Sequence, residues 1–170
     1  MGSNLGNRIK FLRKALHKLS LLPNTTIPAL SDVFETEPMD LTEQPQFLNA
    51  CVELKTSLLP DELLTAMLGI ETQLGRRRTV PYGPRQIDLD LLLCGSEIIN
   101  CPPRLLIPHP KLHERAFVLI PLAQIAPQTL HPTLHCTIAE LCKSVPGREG
   151  VQWVPISLQS DCAPIENSNT

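Results

Sequence analysis

Apolar residues recur along this chain at two spacings, and each spacing marks a kind of element. Across residues 6–22 they fall at Ile9, Leu12, Leu16 and Leu19, with Lys10, Arg13, Lys14 and Lys18 on the other faces. Three-and-four spacing predicts an amphipathic helix lying over a sheet. Residues 26–35 read as extended and lead into TEPMDLTEQPQ, an acidic, proline-broken loop. In FLNACVELKT, Leu48, Ala50, Val52 and Leu54 alternate with Asn49, Cys51, Glu53 and Lys55, the period of a half-exposed strand. SLLPDELLTAMLGIETQLG predicts the clearest helix: Pro60 suits the first turn, Asp61 and Glu62 its positive end, and Gly75 its stop. Its expected apolar face is Leu63, Leu64, Met67, Leu68 and Leu74.

IDLDLLLC alternates as a strand up to a turn at Gly95-Ser96, and with EIIN it predicts a hairpin. CPPRLLIPHP reads as a proline-rich crossing, and LHERAFVLIPLAQIAP as a short helix broken near Pro121. One more helix is expected over about residues 138–143, and the last dozen residues have the composition of a frayed tail. This order of elements predicts an α+β sandwich, a mostly antiparallel sheet with helices on one face. The expected division is one domain over residues 1–155 and a poorly ordered tail over residues 156–170.

A length of 170 residues with 42% hydrophobic content suits one self-supporting core. The net charge of −2 gives no global field for nucleic acid or an anionic membrane, so any phosphate-binding charge must be local. No apolar run reaches a membrane span and MGSNLGNR carries no signal-peptide core, so a cytoplasmic chain is expected. Six cysteines include no C-x2-C pair, which argues against a zinc or disulfide framework.

The sharpest chemical signal is Asp88 and Asp90 in RQIDLDLLL. Two residues apart on a strand, their carboxylates share one face with Cα atoms roughly 6 to 7 Å apart. Like charges so placed call for a cation, and magnesium carried on phosphate is the natural one. The plainer alternative is an edge strand blunted with charge. Arg76, Arg77, Arg78 and Arg85 all precede the pair closely in sequence, and guanidinium groups match phosphate oxygens two at a time. Their proline- and glycine-bearing loop is long enough to close as a lid. His109/His113 and His131/His135 have H-x3-H spacing, but the prolines among them argue against a zinc helix. His109, followed by Arg115, is a better candidate donor to phosphate. GSNLG is open to two readings, a phosphate loop or a turn with an asparagine helix cap.

Seven segments in order, GSNLGNR, ETEP, QPQFLNACVELKT, IETQLGR, YGPRQIDLDLLLCG, IPHPKLHERAFVLIPL and IAP, resemble the 6-hydroxymethyl-7,8-dihydropterin pyrophosphokinases of folate synthesis over residues 2–154. The resemblance implies a ferredoxin-like fold that transfers pyrophosphate from ATP to the hydroxymethyl oxygen of a dihydropterin, releasing AMP. It implies two magnesium ions on Asp88 and Asp90, with Arg76, Arg85, Asp88 and Asp90 carrying catalysis. ATP would be bound by Arg76, Arg78, Arg85, His109 and Arg115. The pterin would lie between Phe47 and Phe117, read by Asn49 and by the chain around Thr36 and Met39, with Tyr82 closing over it. ATP and the dihydropterin are the implied partners, together with contact to neighbouring folate enzymes.

The sequence departs from that family at several places. The loop between Arg78 and Tyr82 is about one residue shorter than in some members, Tyr82 stands where tryptophan is frequent, and Pro110 stands where some have tyrosine. Only Met1 precedes GSN, where members carry a short apolar strand, so the first strand is expected to be missing and the native start to lie upstream. Loss of about three buried side chains would remove about 5 to 9 kcal/mol.

Overall fold

The computed structural model describes residues 1–39, 43–76 and 83–159. Gly2–Ser3 form a two-residue strand, β1. Helix α1 spans Arg8–Ser20, capped by the Asn7 side chain, which accepts the Lys10 N–H at 3.0 Å, and it buries Leu12, Ala15 and Leu19. The asparagine-cap reading of this region therefore holds, through Asn7. β2 (Thr25–Leu30) and β3 (Val33–Thr36) run out as predicted, and β4 (Phe47–Asn49) and β5 (Val52–Thr56) return beside them. Together they make one long antiparallel hairpin, with pairs from Thr25↔Thr56 to Thr36↔Phe47. Its register shifts between Thr26 and Ala29, on either side of Pro28, whose missing N–H cannot serve a ladder.

Helix α2 (Pro60–Gln73) starts with Pro60 at its first position, and Glu62 accepts the Leu59 N–H at 2.9 Å. Its core residues are Leu63, Met67 and Ile70, with Leu74 just beyond its end. Leu64 and Leu68, expected in the core, instead line a cavity. The predicted pairing of IDLDLLLC with EIIN does not form. EIIN contributes β6 (Ile99–Cys101), which pairs with β7 (Leu105–Ile107) inside the proline-rich crossing. Pro102 and Pro103 form the turn between them, where they cost no ladder bond.

Helix α3 (Ala116–Ile125) continues through Pro121 rather than breaking there. The proline removes one bond to the Phe117 carbonyl, but Val118, Leu119 and Leu122 around it are buried and hold the helix. Helix α4 (Ile138–Ser144) follows as expected, closed by a reciprocal cap between Thr137 and Glu140. Val151–Val154 then form β8, an element the sequence reading lacked.

The main sheet has the antiparallel order β1-β4-β3-β8, in keeping with the α+β, ferredoxin-like expectation. Helices cover both of its faces, not one. Leu48 and Ala50 join Val33, α1 and α2 in one core, while Cys51, on the alternate face, joins α3 and α4 in a second. Both faces of this hairpin arm carry buried residues, which is why a single helical layer does not suffice. Among the described residues no helix is long and apolar enough to cross a membrane.

Leu158, in the stretch read as a frayed tail, is buried in the first core, and Arg13 donates to the Ser157 carbonyl at 2.9 Å. Residues 160–170 lie outside the described residues. Replacing Leu158→Ala is expected to lower the unfolding free energy by about 2 to 5 kcal/mol, as for other buried leucines, measurable by urea denaturation.

Candidate active site

β1 is short, but it is paired on two sides. Gly2 and Ser3 lie opposite Asn49 and Leu48 of β4. On the other flank Gly2 N donates to Asp88 O at 2.9 Å, Asp88 N to Gly2 O at 2.8 Å, and Asn4 N to Arg85 O at 3.1 Å. The residue at position 2 must be small, because a Cβ there would stand 2.9 Å from Asn49 Oδ1. The strand thus sets the acidic segment 85–90 against the Phe47–Asn49 strand.

Residues 87–94 are not a strand, since Asp88 makes only a single bridge, to Gly2. Alternation survives nonetheless: Ile87 and Leu89 are buried while Asp88 and Asp90 line the cavity. A side chain replaces the missing ladder partner, for Leu89 N donates to Glu71 Oε1 at 2.7 Å. Glu71 and Asp88 both bind Arg76, and Arg85 Nη1 sits 3.1 Å from Asp88 Oδ2. Both oxygens of Asp88 are therefore engaged by guanidinium groups. Burial raises the Glu71 carboxyl above its ordinary range, against the lowering effects of the Leu89 N–H and Arg76. For Arg76, burial disfavours the charge, yet Asp88 and Glu71 outweigh it and raise its pKa.

Across the cavity, His109 N donates to Leu92 O at 2.9 Å, and Lys111 N donates to His109 Nδ1 at 3.1 Å. Nδ1 is thereby the acceptor, so the neutral ring carries its proton on Nε2. Burial lowers the His109 pKa; Asp90 opposes this and Arg115 reinforces it. Arg85 lies over the Phe47 ring at 5.4 Å and Arg115 over the Phe117 ring at 5.5 Å. Asn49 Nδ2 donates to Thr36 Oγ1 at 2.8 Å, which fixes the plane of its amide. Beyond them Arg104, at the tip of the β6–β7 hairpin, pairs with Asp61 and donates to Thr65 at 2.9 Å, clasping the hairpin to α2.

One cavity of about 940 Å³ gathers these groups. Thr36, Met39, Phe47, Asn49, Arg76, Arg85, Asp88, Asp90, His109, Arg115 and Phe117 all line it. Arg78 and Tyr82 lie outside the described residues. No residue of GSNLG lines it, and the segment leads into the helix cap at Asn7. The sequence reading missed Glu71, Gln44, Arg104 and Lys111, which also line the wall. Glu71 was findable, because it is an acid on the buried side of a predicted helix and so needs a partner. Among the described residues no three His, Cys, Asp or Glu side chains cluster as a metal site. Two carboxylates facing a roomy, cation-lined cavity do fit magnesium, which takes one or two carboxylates and fills its other positions from water and phosphate.

Residues 1–127 match the family described as 7,8-dihydro-6-hydroxymethylpterin-pyrophosphokinase. The chain belongs to this family. It is 47% identical over 128 residues to the 2-amino-4-hydroxy-6-hydroxymethyldihydropteridine pyrophosphokinase of Bacillus subtilis, covering 75% of this chain and 76% of that protein. To the protein of the same name from Pseudomonas aeruginosa it is 38% identical over 155 residues, 91% of this chain and 94% of the relative. A folic acid synthesis protein of Pneumocystis carinii is 42% identical over 145 residues, 85% of this chain but only 19% of that protein. The matched segment is there one part of a much longer chain.

The His109 ring of this pyrophosphokinase-family chain should titrate below its ordinary value of 6.5 in the ligand-free protein, with Nδ1 unprotonated, as 15N ring shifts would report. The depressed folded-state value also has a sign for stability. Between it and 6.5 the unfolded chain binds the extra proton, so stability rises with pH across that window and is lost as pH falls through it. Urea unfolding of His109→Asn between pH 5 and 7 should show a flatter pH dependence than the unsubstituted protein.

Proposed function

We propose that this chain transfers the terminal pyrophosphate of ATP to the hydroxymethyl oxygen of 6-hydroxymethyl-7,8-dihydropterin, releasing AMP. The observation that carries the reading is the convergence, in one cavity, of a carboxylate pair, a set of cations, two phenylalanines and an amide. A flat heterocycle would lie between Phe47 and Phe117, with the Asn49 amide offering its remaining N–H and an acceptor to its edge. Thr36 and Met39 border the same end. A triphosphate fits the other groups: Arg76, Arg85 and Arg115 as forked donors, and His109 through Nε2–H. Lys111 adds a further charge on the same wall.

Asp88 and Asp90 would hold magnesium, two ions by the family expectation. When bound it supplies positive charge to the phosphate oxygens. The chain's own part is placement: arginines fix the phosphates and the aromatic pair fixes the acceptor. No side chain is assigned as nucleophile, since phosphoryl chemistry of this kind needs position and neutralised charge. The fused relative makes contact with other folate-synthesis enzymes a natural extension of the same reading.

A chromatographic nucleotide assay tests it, with ATP, magnesium and 6-hydroxymethyl-7,8-dihydropterin, each run with and without the pterin. Pterin-dependent AMP without ADP is expected, and pterin-dependent ADP would overturn the reaction. Asp90 is exposed, so Asp90→Ala should keep the fold while cutting AMP formation by at least about a hundredfold. Near-normal AMP production by that variant would remove the aspartate pair from the metal assignment.

A further inference from the structure

Asn4 is buried at 2% exposure and lines no part of the cavity, yet two segments that do line it, or flank its lining residues, meet on it. Its Oδ1 accepts the Arg85 N–H at 2.8 Å, and its own N–H donates to Arg85 O at 3.1 Å. Its Nδ2 donates to Gln44 Oε1 and to Pro45 O, each at 3.0 Å. Four hydrogen bonds thus leave one residue in two directions. One pair clamps the backbone of Arg85, which engages Asp88; the other holds the Gln44–Pro45 segment that leads into Phe47. Arg8 extends the second anchor by donating to Gln46 O at 2.8 Å.

We infer that Asn4 is a positioning residue, which fixes the distance between the phosphate-side arginine and the aromatic wall of the acceptor site. The inference rests on the pyrophosphoryl-transfer reading for its kinetic consequence, but its structural part does not. An amide suits this place because it presents an acceptor and two donors at once in a buried spot. A carboxylate keeps the acceptor for Arg85 and loses the donors to Gln44 and Pro45; alanine loses both. The two halves of the brace can therefore be separated by substitution.

The experiment compares Asn4→Ala and Asn4→Asp with the unsubstituted chain. Amide hydrogen exchange in the ligand-free proteins reads the Arg85 N–H directly, whatever reaction the protein performs. Asn4→Ala should expose that amide to faster exchange, at least tenfold, while Asn4→Asp keeps it protected. In AMP formation by folded protein, Asn4→Ala should lose at least about tenfold in kcat, the scale of a small misplacement of a reacting group. Asn4→Asp should recover most of that loss while its KM for the dihydropterin stays raised several-fold. Unchanged Arg85 exchange in Asn4→Ala, or equal kcat losses in both variants, would overturn the inference. Should Asn4→Ala fail to fold, Asn4→Asp decides alone: a raised pterin KM with Arg85 still protected supports the brace, and an unchanged KM overturns it. If the unsubstituted chain makes no AMP, the reaction assignment falls and the exchange measurement still judges the brace.

Discussion

The site depends on β1 being hydrogen-bonded on both flanks. A two-residue strand is a weak unit by itself, but here it joins β4 to the segment 85–88 through paired backbone bonds. Buried backbone groups left without partners are costly, so a shift of either neighbour would leave donors and acceptors unmet. The register of β1 consequently fixes three things together. It sets where Asp88 lies, where Arg85 begins and how closely Asn49 approaches Gly2. The chemistry of the cavity is assembled by that register rather than by any one loop.

Charge is arranged around this frame in layers. Glu71 lies deepest, nearly without exposure, and accepts the Leu89 N–H that no strand satisfies. Arg76 bridges it to Asp88, and Arg85 takes the other Asp88 oxygen. Buried ion pairs add little net stability once desolvation is included, so their use here is geometric. Guanidinium groups bind carboxylate and phosphate with the same forked geometry, so the proposed phosphate contacts would use arginines already held against Asp88. An overall charge of −2 is compatible with this, because Arg76, Arg85, Arg104, Lys111 and Arg115 gather around one cavity.

Much of this was legible in the sequence where local pattern and tertiary context agree. α1, α2 and α4 carry their own spacing and caps, and the alternation at Ile87, Asp88, Leu89 and Asp90 survives although no ladder forms there. β7 and β8 were missed for a common reason: each is three or four residues long and defined by its partner. VQWV acquires strand geometry against β3, and RLLIP against β6, so neither has a periodicity long enough to read. Pro121 misled because the rule that proline breaks helices omits burial, which here outweighs one lost bond. Asn4 stayed hidden because its partners, Arg85 and Gln44, are distant in sequence, and the burial of Glu71 could be expected from its helix face but its bond to the Leu89 N–H could not.

The departure at Pro110 can be judged against the same wall. Proline offers no side-chain donor and no N–H, so a phosphate contact available to a tyrosine is absent at that position. Its neighbours compensate in kind: His109 presents Nε2–H because Lys111 N–H holds Nδ1, and the Lys111 ammonium itself lines the cavity. A short segment thereby supplies a neutral donor and a full positive charge in place of a hydroxyl. A neutral imidazole costs less to bury than an imidazolium, which agrees with burial as the main cause of the lowered His109 pKa. Under the proposed reading, the long-range charge on phosphate falls to Lys111 and Arg115, and the directional bond to His109.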